Sequence, residues 1–372
     1  MRSLMGLSIA LLLLLPANAA ELEPLLNTIK NVGAKGAGHD DAAAAWQELA
    51  RCDAADLPQL LAGLDDAGPL AGNWIRTAVD AVAERTVNGG GKLPLAALEK
   101  FALDTQHSPR ARRLAFEWLS RVDATAPDRL IPTLLQDPSV EFRYDAVARL
   151  LAEAEQLKTT QPAAVADVFR RALSGARDLE QVKQIAAELK KLGQQVDLPK
   201  HFGFIMQWQV IGPFENAGGQ GFDVAYPPES KVDFAAEHPG KGQAVKWKPA
   251  ATLDDFGSVD FNEALGKHKD AVAYAAVEFV SAVEQPVEFR LGCPTASKLW
   301  LNGELIDSRR VYHSGGGMDQ HISRGKLKPG RNLILLKVCQ NAQTEEWAQV
   351  WSFQLRVCDP AGTAILSQDR PM

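Results

Sequence analysis

Cysteine is scarce in this sequence. Four stand in 372 residues, Cys52, Cys293, Cys339 and Cys358, and no two are spaced as C-x₂-C, so the common zinc frameworks are excluded. Positive charge is not in excess either. The formal net charge is −6, which disfavours nucleic acid as a partner, because a phosphate backbone demands a basic stripe. After Leu15 no run is long or apolar enough to span a bilayer. The G-x-S-x-G of serine hydrolases is missing, and no Cys–His pair is spaced for catalysis. Gly89-Gly90-Gly91-Lys92 lacks the G-x-x-x-x-G-K-[ST] spacing of a phosphate loop and lies between helical stretches, so it reads as a connector. His39-Asp40-Asp41 holds metal-ligand types, but Asp40 or Asp41 as the cap of a helix opening at Ala42 accounts for the carboxylates.

What is present is ordinary globular text, 46% hydrophobic and 23% charged, in a chain long enough for two or three domains. Residues 1–19 read as a targeting segment. Arg2 supplies the positive start, Leu4–Leu15 the short apolar run, and Ala17-Asn18-Ala19 the small-residue site, with cleavage expected before Ala20. No cysteine follows that site to carry a lipid anchor. The expected product is exported, periplasmic or extracellular, with no stable membrane insertion. Export permits disulfides, and a bridge among Cys293, Cys339 and Cys358 is open, its pairing not fixed by spacing.

Residues 20–198 are written in the helical period. Leu130, Ile131, Leu134 and Leu135 form one apolar stripe, Asp137-Pro138-Ser139 breaks it, and Val140, Tyr144, Val147, Leu150 and Leu151 form the next. The unit recurs: Leu95–Leu103, a break at Ser108-Pro109, then Ala111–Val122. Ser108 and Ser139 lie 31 residues apart, and the same offset matches Arg112 to Arg143, Ala115 to Ala146 and Leu119 to Leu150. Looser copies run from Leu57 to Val82 and from Val165 to Leu192. A period in the thirties built of helix pairs is the signature of an α-solenoid. The Asp-Pro-Ser break with the following Arg and Ala resembles HEAT repeats over roughly residues 40–195. The resemblance implies a curved stack that docks a protein partner and implies no chemistry. Arg112 and Arg143 are expected to pair with carboxylates of a neighbouring repeat.

Composition changes near Pro199, and residues 199–372 alternate with period two. Strands are expected at Phe204–Ile211, Val245–Trp247, Ala273–Val280, Val287–Leu291, Lys298–Leu301, Leu333–Val338 and Val350–Val357, with a turn at Asn302-Gly303. Two facing antiparallel sheets, a β-sandwich, would enclose Phe279, Phe289, Leu291, Leu299, Leu335 and Phe353. The succession FRLG, KLWLNGELI, LKPGRNLILLKV and WSFQLRV resembles the galactose-binding-like jelly roll of carbohydrate-binding modules and glycosidase accessory domains, over about residues 205–360. That resemblance implies a fold, and as function a glycan contact or a brace. The turn Cys293-Pro294-Thr295-Ala296 departs from the polar turn usual there, so no ligand role carries over to it.

A sugar site needs an aromatic platform beside a few amides or carboxylates. Trp247, Tyr312 and Trp347 are the candidate aromatics; Asn302, His313 and Asp319 are the candidate polar contacts. Trp300 faces away from Leu299 and Leu301 and reads as packing. His313, Asp319 and His321 have zinc-ligand types at loose spacing. No cofactor is expected beyond a candidate structural calcium ion at Asp223 or Glu229, in a long loop. The expected function is an exported, non-catalytic binding or scaffold protein. The rivals are a glycoside hydrolase or its accessory subunit, which needs two carboxylates about 5–9.5 Å apart, and a purely structural envelope protein.

Overall fold

The computed structural model describes residues 19–370. The expected targeting segment, save Ala19, lies outside the described residues. Contacts divide the chain into two compact units, Met1–Leu150 and Leu151–Met372.

The first unit is helical. Its elements are α1 (Ala19–Lys30), α2 (His39–Leu49), α3 (Leu57–Ala62), α4 (Pro69–Asn88), α5 (Leu95–Leu103), α6 (Pro109–Val122), α7 (Ala126–Leu130) and the front of α8 (Val140–Thr160). Neighbours pack as pairs, α1 on α2, α3 on α4 and α5 on α6. Proline opens α4 and α6, where its missing N–H is an orphan in any case. The apolar stripes meet in one core running from Leu22 to Ala146, with Ile75, Val79, Leu98, Leu114 and Phe142 inside. Asp137 is the joint between successive pairs. It takes both Arg112 Nη atoms at 2.9 and 2.6 Å, caps Ser139 N at 2.8 Å, and its carbonyl accepts Arg143 Nε at 3.0 Å. One detail differs from the sequence reading. The cap of α2 is Gly38, in the left-handed region, and Asp40 and Asp41 sit in the first turn, where their negative charge is favourable beside the positive end of the helix dipole.

The second unit begins with the rest of α8, α9 (Val165–Gly175), α10 (Leu179–Lys191) and α11 (Leu198–Phe202). It continues as antiparallel strands: β1 (Gln207–Glu215), β2 (Glu237–Pro239), β3 (Ala244–Lys246), β4 (Lys248–Ala251), β5 (Val259–Asp260), β6 (Ala271–Ser281), β7 (Gln285–Gly292), β8 (Ala296–Leu301), β9 (Glu304–Arg309), β10 (His321–Leu327), β11 (Gly330–Gln340) and β12 (Ser352–Cys358). Short helices α12 (Pro227–Ser230) and α13 (Phe261–Leu265) interrupt them. One sheet has six strands in the order β4-β1-β6-β11-β8-β9; the other has four, β10-β7-β12-β5; β2 and β3 form a separate ribbon. Alternation sends Phe279, Ile334, Leu336 and Leu299 from the larger sheet, and Phe289, Leu291, Phe353, Leu355 and Val357 from the smaller, into one shared core. Burying each large side chain contributes about 1.5–3 kcal/mol.

One expectation is corrected here. Leu335 lies on the other face of the larger sheet, in a second apolar cluster with Tyr274, Phe214, Phe222 and Trp247, because it follows the parity of Leu333 and Lys337. At Pro294-Thr295 the chain passes from one sheet to the other, since β7 pairs with β10 and β12, and β8 with β11 and β9. The hairpin lies at the expected Asn302-Gly303 turn. Asn302 (φ 53°) and Gly303 (φ 85°) make the turn between β8 and β9, both in the region that Asn and Gly tolerate. All four cysteines are free and buried.

Candidate functional site

At one end of the larger sheet the strands β1 and β11 finish and β6, between them, begins; Asn216 and Asn341 stand just past the first two and Asp270 just before the third. Asn216 N donates to Asp270 O at 2.9 Å, and Asp270 N donates to Asn341 O at 3.1 Å, so the row Asn216, Asp270, Asn341 prolongs the ladder. Asp270 adopts φ 47° where the chain enters it. Asn216 is fully buried; its Nδ2 donates to Gln340 O at 2.9 Å and to Tyr312 Oη at 3.3 Å.

The loop after β9 lies over this row. His313 holds φ 59° and its Nε2 meets Asn341 Nδ2 at 3.1 Å, a contact in which the amide donates and the ring nitrogen accepts. Trp347, on the loop after β11, stands edge-on to His313 with ring centres 4.8 Å apart, while Tyr312 and His313 are 6.4 Å apart. Asn341 Nδ2 also reaches Gln343 Oε1 at 2.8 Å. Trp347 is 60% exposed, a large apolar side chain held by its neighbours instead of hidden by them. Burial pushes the Tyr312 hydroxyl up, against the pull of its Asn216 bond, so it stays protonated at neutral pH. The arrangement can present one indole face to a flat partner and, beside it, an imidazole and amides that donate and accept hydrogen bonds.

Of the residues singled out from sequence, the fold therefore gathers Tyr312, His313 and Trp347. It places the others elsewhere. Trp247 is only 8% exposed and packs edge-on against Phe234. Asn302 serves its turn, accepting from Leu333 N at 2.9 Å and donating to Asn332 Oδ1 at 3.0 Å. Asp319 lies between two arginines: Arg356 at 2.6 and 2.5 Å and Arg290 at 3.0 Å. Burial alone would raise its carboxyl, but the two guanidinium groups outweigh burial and hold it below the usual carboxylate range.

Asp223 accepts from Arg310 at 2.7 Å. Glu229 accepts from Lys337 Nζ at 2.7 Å and from the Tyr274 hydroxyl. Each carboxylate thus has a cationic side-chain partner. Lys337 is fully buried and also reaches Phe222 O and Val224 O, at 3.1 and 2.8 Å. Burial pushes its ammonium down, and Glu229 opposes that shift. Among the described residues no three His, Cys, Asp or Glu side chains gather as metal ligands. The same residues include no helix long and apolar enough to cross a membrane.

Sequence reasoning missed Asn216, Asp270, Asn341 and Gln343. Asn341 follows directly on Gln340, the last residue of β11, a local signal for a strand end; the other two Asx positions join it only once strand order is known.

The fold and site define a helical region followed by an antiparallel, two-sheet domain with an aromatic and amide cluster at its strand ends. No family model matches the sequence, and no curated protein matches it significantly. Among solved structures, a β-glucosidase from Kluyveromyces marxianus is similar at 12% identity and TM-score 0.27, over 46% of this chain and 22% of its own. An anti-sigma factor domain-containing protein is similar at 12% identity and TM-score 0.26, over 45% of this chain and 51% of its own. A β-glucuronidase from Faecalibacterium prausnitzii is similar at 17% identity and TM-score 0.23, over 37% of this chain and 21% of its own. The chain spans from about a fifth to about half of these proteins, and likenesses this slight carry no functional argument.

Proposed function

We propose that the chain is an exported, non-catalytic binding protein. HEAT-like repeats in the helical region form a solenoid that docks a protein partner, and a galactose-binding-like jelly roll behind them contacts glycan. The observation that carries the glycan half is the exposed indole of Trp347 held edge-on to His313, with Asn341 and Gln343 alongside. Exposing an indole forgoes its burial energy, and a sugar face stacked on it restores that contact. The repeat reading is supported by the buried Arg112–Asp137 pair, which ties one helix pair to the next.

The test is retention of the purified full chain on a panel of insoluble polysaccharides, alongside recovery of whatever protein accompanies it from its native compartment. Retention that Trp347→Ala abolishes is the expected result. Retention unchanged in that variant removes the glycan half, and turnover of any glycoside by the purified chain overturns the non-catalytic reading.

A further inference from the structure

We infer that the outer face of the six-stranded sheet carries a second ligand site, a trough for a neutral, hydroxyl-rich oligosaccharide, at the other end of the strands from Trp347. It goes beyond the strand-end site and uses none of its residues.

The trough arises from strand geometry. β1 is paired with β6 from Gln209↔Ala276 onward, but before Gln209 it runs with β4 alone, Gln207 lying opposite Ala251. β6 meanwhile continues to Ser281 along β11. The two strands therefore part at Gln207 and Glu278, and a hollow opens on each side of the parting. One, of about 560 Å³, lies between Phe234, β4, β1 and β6. The other, of about 210 Å³, lies beneath the tail Ile365–Arg370. Gln207, Val277 and Glu278 line both, and the larger hollow is the trough, of a size that ligand sites occupy (about 300–1,000 Å³). The tail is pinned as the wall of the smaller hollow: Ser367 Oγ accepts from Val280 N at 2.7 Å, Gln368 N donates to Val280 O at 3.0 Å, and Arg370 Nη1 donates to Phe204 O at 2.8 Å. Eight residue steps along β1, from Gln207 to Glu215, put about 25 Å between trough and strand-end site.

The lining selects the ligand. The floor is small at Ala251 and Ala276, so a flat ring can settle on the sheet. Phe234 stands at one end, 39% exposed and held edge-on by Trp247 at 5.4 Å. The side-chain amides of Gln207 and Gln209 bond no other group among the described residues, and each offers donors and an acceptor together, the complement of a hydroxyl. Charge is balanced. Glu278 is paired with Arg331, and Asp369 and Arg370 line the smaller hollow together. A trough balanced in this way favours an uncharged ligand, and amides, a small floor and an aromatic wall are the complement of a sugar chain.

Isothermal titration of the full chain with cellohexaose, xylohexaose, mannohexaose and chitohexaose tests this, comparing the parent with Gln207→Ala/Gln209→Ala and with Trp347→Ala. Both glutamines are at or near the surface, and circular dichroism with thermal unfolding checks that the variants fold. At least one probe is expected to bind, weakened roughly tenfold or more by the double substitution and retained in Trp347→Ala. Binding lost only with Trp347 overturns the trough and leaves the strand-end site standing. Binding lost only with the glutamines supports the trough and removes the strand-end site. Binding of none of the four at millimolar concentration overturns the trough.

Discussion

Buried charges decide how the outer faces of the two sheets are built. Lys337, Glu229 and the Tyr274 hydroxyl form one such group. Removing one partner of a buried pair leaves the other uncompensated, which costs about 3–5 kcal/mol, whereas replacing both by apolar or neutral groups costs far less. Lys337→Met is therefore expected to lower stability to urea by several kcal/mol, and Lys337→Met/Glu229→Gln to recover much of the loss. Equal losses in the two variants would deny the pairing. Sequence could not pair Glu229 with Lys337, because the two stand 108 residues apart. The titrating residue is His201. Burial, aided by Arg177 and Arg356, holds its pKa at about 4, down from 6.5, despite its bond to Ala176 O. The folded state thus binds its proton less readily than the unfolded state, so stability is complete above pH 6.5 and falls as the pH drops towards 4. His201→Gln is expected to flatten the fall in melting temperature across that window; an unchanged slope would count against it.

At the scale of elements, much was legible. Period-two alternation put Phe279 of β6 and Phe353 of β12 in the core where they lie, and helix pairs with proline breaks assigned α3 to α6, because each pattern is local. The Asn302-Gly303 turn was legible for the same reason, since positive φ restricts the residue choice. Gly303→Ala is expected to destabilise by about 1 kcal/mol, measured by thermal unfolding, and Gly325→Ala by more, because its Cβ would meet Phe289 and Leu301 at 2.8 and 2.9 Å. A Gly303→Ala loss as large as that of Gly325→Ala would contradict the turn assignment. What was not legible is non-local: that β7 and β8 belong to different sheets, and that Asn216, Asp270 and Asn341 stand at adjoining ends of neighbouring strands. Tyr312, His313 and Trp347 could each be suspected as loop aromatics, but their meeting depends on that same strand order.

At the scale of the molecule, composition shifts near Pro199, while compactness divides the chain at Leu150/Leu151. The difference has contacts behind it. Arg177 Nε reaches Thr363 Oγ1 at 3.4 Å, His201 Nε2 reaches Ala176 O at 3.0 Å, and Lys183 lies over the Phe256 ring at 5.6 Å. A fragment 151–372 is expected to unfold in one cooperative transition, and a fragment 199–372, deprived of those contacts, to melt lower; equal melting would show α9 and α10 to be dispensable there. The larger claim is that the strand-end cluster meets a glycan. Of the eight tryptophans, Trp347 is exposed while Trp118, Trp208, Trp247 and Trp351 are buried, so its indole N–H resonance can be followed by itself as a retained oligosaccharide is titrated into the labelled full chain. The account predicts that the Trp347 signal shifts in a saturable way and that the Trp118 and Trp351 signals hold still. A sugar that binds and leaves Trp347 unmoved would contradict it.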